Sequence, residues 1–252
     1  MRSVCWLSIG LALVAACGGG GGSSAGKAGT GTGEPGIDSA KGAAKFERDS
    51  AGSRVPVPGS RKTVLMVGTS LTAGLGLDPE EAYPALLQRK ADSLGLHVDF
   101  VNAGLSGETS AGALRRIDWL LRGPADVVVI ETGANDGLRG LNVDSTRANL
   151  RAIITKVKAA RPAARILIAQ MEAPPNLGAK YTAAFSAMYQ DVAKDAQVSV
   201  MPFLLRGVAG VTALNQQDGI HPNERGEQIV ADNVWESLEP VLRQLDAVPT
   251  VS

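Results

Sequence analysis

Four apolar residues in a row, Val64 to Val67, break straight into Gly68-Thr69-Ser70, and this junction constrains the chain more than any other stretch. A short unbroken apolar run ending in a turn is how a parallel strand buried on both faces reads. The same form returns at 126–131 (D-V-V-V-I-E) and 165–170 (R-I-L-I-A-Q), with further strands expected at 98–102 and near 198–202. Helical stretches fall between them, around 80–93, 109–121, 146–160 and 180–196, and a last helix is expected over about 223–243. Asn142 to Ser145 offers caps ahead of the third of these, and Pro162 closes it. Such alternation implies an α/β fold, a parallel sheet with helices on both faces joined by right-handed crossovers.

Open sheets of this kind gather their chemistry at the carboxyl ends of the strands. Ser70 stands there, just after the first strand of the 61–245 region. The stretch is not a phosphate loop, since no lysine follows Gly74 or Gly76, and not a dinucleotide fingerprint, since Gly76 is followed by Pro79 where a third glycine would be needed. It is not the G-x-S-x-G elbow either, because the fifth position is Thr72. Taken alone, Ser70 reads equally well as a nucleophile or as a serine capping backbone amides.

The regions outside 61–245 read differently. Residues 1–17 have the form of an export signal: Arg2 is the positive region, and Trp6 to Ala16 is an apolar stretch too short to span a bilayer. It ends in Val14-Ala15-Ala16-Cys17-Gly18, which resembles the lipobox of bacterial lipoproteins, so Cys17 is the expected lipid-attachment residue; simple cleavage after Ala16 is the alternative. Cys5 would leave with the signal, and the one cysteine left can form no internal disulfide. From Gly18 to Gly36 ten of nineteen residues are glycine, a composition that cannot bury enough apolar surface to offset ordering. Residues 18–60 therefore read as a linker, stiffened at Val55 to Pro58, with a coil reach of about 35–40 Å. Residues 246–252 read as a tail. Lysine plus arginine and aspartate plus glutamate both number 25, so no nucleic-acid partner is expected.

Three strand ends carry more than packing. Beyond Ser70, the second strand runs into V-N-A-G-L-S-G-E-T-S-A-G with Gly104 just past it, and the third into E-T-G-A-N-D-G-L-R-G-L with Asn135 in a glycine-bracketed loop. In a parallel sheet these loops share one edge, where the N–H groups of Ser70 and Gly104 and the Asn135 amide could form a three-donor oxyanion hole. Each also reads alone as an ordinary turn or cap residue. Ahead of the last helix stands D-G-I-H-P-N, with Asp218 and His221 three residues apart. His97, the other histidine, opens the second strand at the opposite edge. Pro222 holds His221 in extended backbone, and an Asp-x-x-His turn lets a carboxylate hold Nδ1–H while Nε2 faces a serine.

Together the four blocks resemble the SGNH hydrolases, the G-D-S-L esterase superfamily, over about 64–242, in the branch of thioesterase-I, arylesterase and lysophospholipase enzymes. V-G-T-S-L-T-A-G-L-G is similar to its first block, N-A-G-L-S-G-E-T-S-A-G to its second, T-G-A-N-D-G-L-R-G-L to its third and D-G-I-H-P-N to its last. The resemblance implies a flavodoxin-like three-layer α/β/α sandwich with five parallel strands, and a catalytic Ser70, Asp218 and His221. It likewise implies an oxyanion hole of Ser70, Gly104 and Asn135. It puts the acyl group near Leu138 to Leu141, Ala173 to Gly178 and Phe203 to Leu214. The family usually has aspartate where this chain has Thr69, and Glu131 is expected to lend structural support near the site.

The expected activity is hydrolysis of medium-chain carboxylic or thio-esters through an acyl-enzyme on Ser70. A carbohydrate O-acetyl esterase and a non-catalytic lipoprotein with a decayed site are the rivals. No cofactor is expected, and no metal, since H-E-x-x-H and cysteine clusters are lacking. The expected partners are a small acyl ester or lysophospholipid and, through the lipid on Cys17, a bacterial membrane facing the periplasm or outside. A monomer is expected.

Overall fold

The fold was determined as a computed structural model that describes residues 46–48, 54–56 and 61–246. Residues 1–17, read from the sequence as an export signal ending at Cys17, most of the 18–60 stretch read as a linker, and residues 247–252 lie outside the described residues. Inside the stretch read as linker, β1 (Phe46–Arg48) and β2 (Arg54–Pro56) pair antiparallel, a ribbon that the Pro- and Gly-rich composition does not announce.

The remaining strands are β3 (Lys62–Gly68), β4 (Val98–Gly104), β5 (Val127–Ile130), β6 (Arg165–Gln170) and β7 (Ser199–Phe203), each within two residues of the expected bounds. They form one parallel sheet in the order β4-β3-β5-β6-β7. Central β5 is buried at every position, which is why its sequence shows no polar alternation. The helices are α1 (Ser70–Ala73), α2 (Tyr83–Ser93), α3 (Ser110–Leu120), α4 (Ala134–Leu138), α5 (Val143–Ala160), α6 (Ala179–Ala196) and α7 (Glu224–Asp246). Helices α3, α5 and α6 pack in a row, and α2 packs on α7, giving the layers of an α/β/α sandwich.

Helix α1 occupies a stretch read as a turn, and α2 starts at Tyr83, behind a single tight turn at Pro79–Glu81; two further departures, in α5 and α4, have local reasons. Helix α5 starts at Val143, not 146, because Asn142 is its cap: the Asn142 side chain accepts the Ser145 N–H at 3.0 Å. Helix α4 occupies the glycine-bracketed loop after β5. Its buried Asp136 accepts the N–H of Ser110 at 2.8 Å and the Thr146 hydroxyl at 3.0 Å, joining α4 to the starts of α3 and α5.

The first residue of β4 pairs with the first of β3, and Gly104 with Gly68 at their ends. The loops after β3, β4 and β5 therefore leave the same edge of the sheet. A Cβ on Gly104 would overlap the backbone of Ala73, so this glycine lets α1 lie directly against the end of β4.

Candidate active site

Helix α1 begins at Ser70, immediately beyond Thr69, whose backbone is extended (φ −101°, ψ −150°). The turn needs glycine at 68: a Cβ there would overlap the Thr72 hydroxyl and lie 2.7 Å from Glu131 Oε2. As the first residue of a helix, Ser70 has an N–H with no intrahelical acceptor.

His221 reaches the serine from the other end of the fold. Its Nε2 lies 2.8 Å from Ser70 Oγ, and its Nδ1 lies 2.6 Å from Asp218 Oδ2. The other Asp218 oxygen accepts the N–H groups of Ile220 at 2.9 Å and His221 at 3.0 Å, so the carboxylate is pinned by its own turn. The bond to the His221 ring, then those two N–H groups, hold the Asp218 carboxyl down at about 2. A hydroxyl bonded to an imidazole that a carboxylate orients is the arrangement that activates serine as a nucleophile. His97 stands exposed just before β4, at the other edge.

The expected donor at Gly104 is corrected by the structure. Its N–H is taken by the side chain of Asn102, which accepts it at 2.9 Å, and Gly104 does not line the cavity over Ser70. Gly107 does line it, at a φ of +78°, and its N–H has no acceptor among the described residues. Asn135, second residue of α4, lines the same cavity and gives one amide hydrogen to the Glu108 carbonyl at 3.0 Å, leaving its second free. Behind this loop, Arg116 grips the buried Glu108 carboxylate through Nε at 2.8 and 2.9 Å and Nη2 at 2.7 Å. The same Nη2 reaches the carbonyl of Ala103 at 2.8 Å and of Gly68 at 3.2 Å, tying the ends of β3 and β4 to the loop. Nothing in the linear pattern singles out Glu108 or Arg116, since their partners lie on separate elements.

The four motif blocks, now in one place, match the model of the GDSL-like Lipase/Acylhydrolase family over residues 66–229. The chain belongs to that family. It is 42% identical over 183 residues to Esterase TesA of Pseudomonas aeruginosa, an alignment covering 72% of this chain and 90% of that protein. It is 39% identical over 181 residues to the Thioesterase 1/protease 1/lysophospholipase L1 of Escherichia coli, covering 71% and 85%. The crystal structure of TesA superimposes with a TM-score of 0.68 at 41% identity, covering 71% of this chain and 99% of that one. As a GDSL-like acylhydrolase the chain is a hydrolase of ester bonds on an α/β fold, as its sequence blocks imply.

A cavity of about 530 Å³ opens over Ser70. Of the three segments expected around the acyl group, Leu138, Ala173 to Pro175, Phe203, Leu205, Ala209 and Gly210 line it. Leu204 and Val208 turn into the core instead, and Arg206 points away to Glu236 at 2.7 Å. Leu71, Leu75, Met171, Glu172 and Ile220 also line the cavity, although the sequence did not mark them. Arg139 reaches the carbonyl of Gly107 at 3.1 Å.

Proposed function

We propose that the chain hydrolyses medium-chain carboxylic esters and thioesters, with lysophospholipids as natural substrates, through an acyl-enzyme on Ser70. His221 Nε2 takes the hydroxyl proton as Ser70 Oγ attacks the acyl carbon, and Asp218 holds the ring in the tautomer that leaves Nε2 free to accept. The carbonyl oxygen, now carrying the negative charge, is received by the N–H groups of Ser70 and Gly107 and the free amide hydrogen of Asn135. His221 returns the proton to the leaving oxygen or sulfur. It then takes a proton from water, whose oxygen attacks the acyl-enzyme, and passes that proton to Ser70 Oγ as the acid is released.

The observation that carries the acyl preference is the lining of the cavity: Leu71, Leu75, Leu138, Met171, Leu205 and Ile220 stand around Ser70, and Phe203 is the lone Phe, Tyr or Trp ring among the described residues that line it. Each methylene fully buried in such a groove contributes about 0.8 kcal/mol. Six more, from acetyl to octanoyl, contribute up to ~5 kcal/mol, of which a groove open to solvent keeps roughly a third to a half, or about 10- to 100-fold in kcat/KM. The names of the two relatives, an esterase and a thioesterase/lysophospholipase, support the same reading. A nitrophenyl ester series from acetyl to palmitoyl, below micelle-forming concentrations, is the test. A maximum near octanoyl is expected; a steady fall from acetyl would favour the carbohydrate O-acetyl esterase.

The same proposal puts the enzyme on a membrane surface of the cell envelope, as a monomer tethered through residues 18–60 with lipid on Cys17. The signal-like residues 1–17 and the glycine-rich stretch after them support this. Metabolic labelling with an alkyne fatty acid in a Gram-negative host should mark the wild type and not Cys17→Ala. Wild-type protein that is soluble, unlabelled and cleaved after Ala16 would refute it.

A further inference from the structure

Beneath the nucleophile turn lies a carboxylate that the acyl-transfer steps do not use. Glu131, the residue after β5, is fully buried. Its Oε2 accepts the backbone N–H of Thr69 at 2.6 Å, and its two oxygens receive the Thr69 hydroxyl at 3.0 and 2.9 Å. The Thr72 hydroxyl donates to Oε2 at 3.0 Å. All three donors come from the residues that bracket Ser70 on either side, and Gly68 makes room for the carboxylate to approach.

The supply of hydroxyl hydrogens at these bonds suits an ionised Glu131. Thr72 has a single hydroxyl hydrogen; once it is given to Glu131, the Tyr83 hydroxyl, 2.7 Å from Thr72 Oγ1, must donate to Thr72 in turn. The chain runs Tyr83 to Thr72 to Glu131 and ends on an acceptor with no proton. If Glu131 gained a proton, it would have to donate to one of the hydroxyls that now donate to it. Reversing the Thr72 branch would leave the Tyr83 hydroxyl hydrogen with no acceptor among the described residues. We propose that ionised Glu131 is a positioning residue for Ser70: it holds Thr69 in its extended conformation and so aims the serine at His221. This rests on Ser70 being the nucleophile, and it gives Thr69 a task for which a threonine is suited. A hydroxyl can donate to Glu131, whereas a second carboxylate at position 69 would have to share a proton with it.

Burial pushes the Glu131 carboxyl up to about 7, against the pull of the Thr69 and Thr72 bonds, so the group changes charge within the range where such an enzyme is assayed. The ionisable groups whose charge meets that of Glu131 are Tyr83 of α2, Tyr189 of α6 and Glu227 of α7. Burial, and then the Glu131 charge, raise the Tyr83 and Tyr189 hydroxyls well above their usual range, so both remain proton donors. Burial likewise raises Glu227 to about 8, with the Glu131 charge adding to the rise.

The experiment is the pH profile of kcat/KM on a soluble short-chain ester, over the range where circular dichroism shows the fold intact. In the wild type the protonation of Glu131 adds its own loss of about 10- to 100-fold to that of the catalytic base, so part of the acid limb is steeper than a one-proton dependence. In Glu131→Gln the limb should fall to a one-proton dependence, with the plateau lowered in kcat by about 10- to 100-fold and KM little changed. Thr69→Val should lower kcat in the same direction, and Thr69→Ser should restore it. A one-proton acid limb in the wild type would overturn the proposal even if Glu131→Gln fails to fold. So would wild-type kcat in Glu131→Gln or in Thr69→Val. Complete labelling of Ser70 by a fluorophosphonate in the wild type separates these outcomes from a failure of the nucleophile itself.

Discussion

Nε2 of His221 lies 2.8 Å from Oγ of Ser70, although 151 positions of chain separate them. The contact joins the first turn after β3 to the turn before α7, and each side is fixed locally: Ser70 by Gly68 and Glu131, His221 by Asp218.

His221→Ala should lower kcat nearly as far as loss of Ser70, because the members of such a unit do not act additively. Asp218→Asn should cost about 10²- to 10⁴-fold, through the wrong imidazole tautomer. Because Asp218 is held at about 2, it stays ionised throughout the assay range, and the acid limb of the activity profile cannot be its own. Steady-state kinetics of the two variants checks both; an Asp218→Asn enzyme with wild-type kcat would remove Asp218 from the unit.

The oxyanion hole makes a separate forecast. Asn135→Ala should reduce kcat by roughly 10²- to 10³-fold with little change in KM, as expected for a donor that acts in the transition state. Asn102→Ala, which frees the N–H of Gly104, should cost far less if Gly107 is the donor. An Asn135→Ala enzyme with unchanged kcat would remove that amide from the hole.

The strands and the Asp218–His221 pair were legible in sequence because both are local in character, whereas Ser70, 151 positions from His221, was joined to them only by the family resemblance of the motif blocks. Buried parallel strands read as apolar runs, and Asp218 and His221 sit in one turn. The choice between Gly104 and Gly107 was not legible. Both stand in N-A-G-L-S-G-E, and what decides is which N–H the Asn102 side chain occupies, in a loop whose shape Arg116 sets from the next helix. The bonds around Glu131 were hidden for the same reason, being assembled from β3, α1, α2 and the end of β5. The β1–β2 ribbon escaped notice because Val55-Pro56-Val57-Pro58 reads as stiff coil.

Glu227 gives a prediction for stability. It is 1% exposed on α7, accepts the Tyr83 N–H at 2.7 Å, and is raised by burial to about 8. A carboxyl whose folded pKa is raised binds its proton more tightly in the native state, so it costs nothing below its unfolded pKa. Stability is lost as pH climbs from there to about 8. Glu227→Gln, which can still accept the Tyr83 N–H, should therefore gain on the order of 2–4 kcal/mol relative to wild type at pH 9, and little at pH 4. Urea unfolding at the two pH values measures this; an equal effect at both would contradict it.

The central claim is that Ser70 is the nucleophile of an ester hydrolase. The most direct measurement is intact-protein mass after reaction with a fluorophosphonate, beside ester hydrolysis, for the wild type and Ser70→Ala. The wild type should gain one phosphonyl group on Ser70 and lose activity in proportion, while Ser70→Ala keeps the fold, takes no label and hydrolyses nothing. Stoichiometric labelling of Ser70→Ala, or hydrolysis by it at the wild-type rate, would contradict the account.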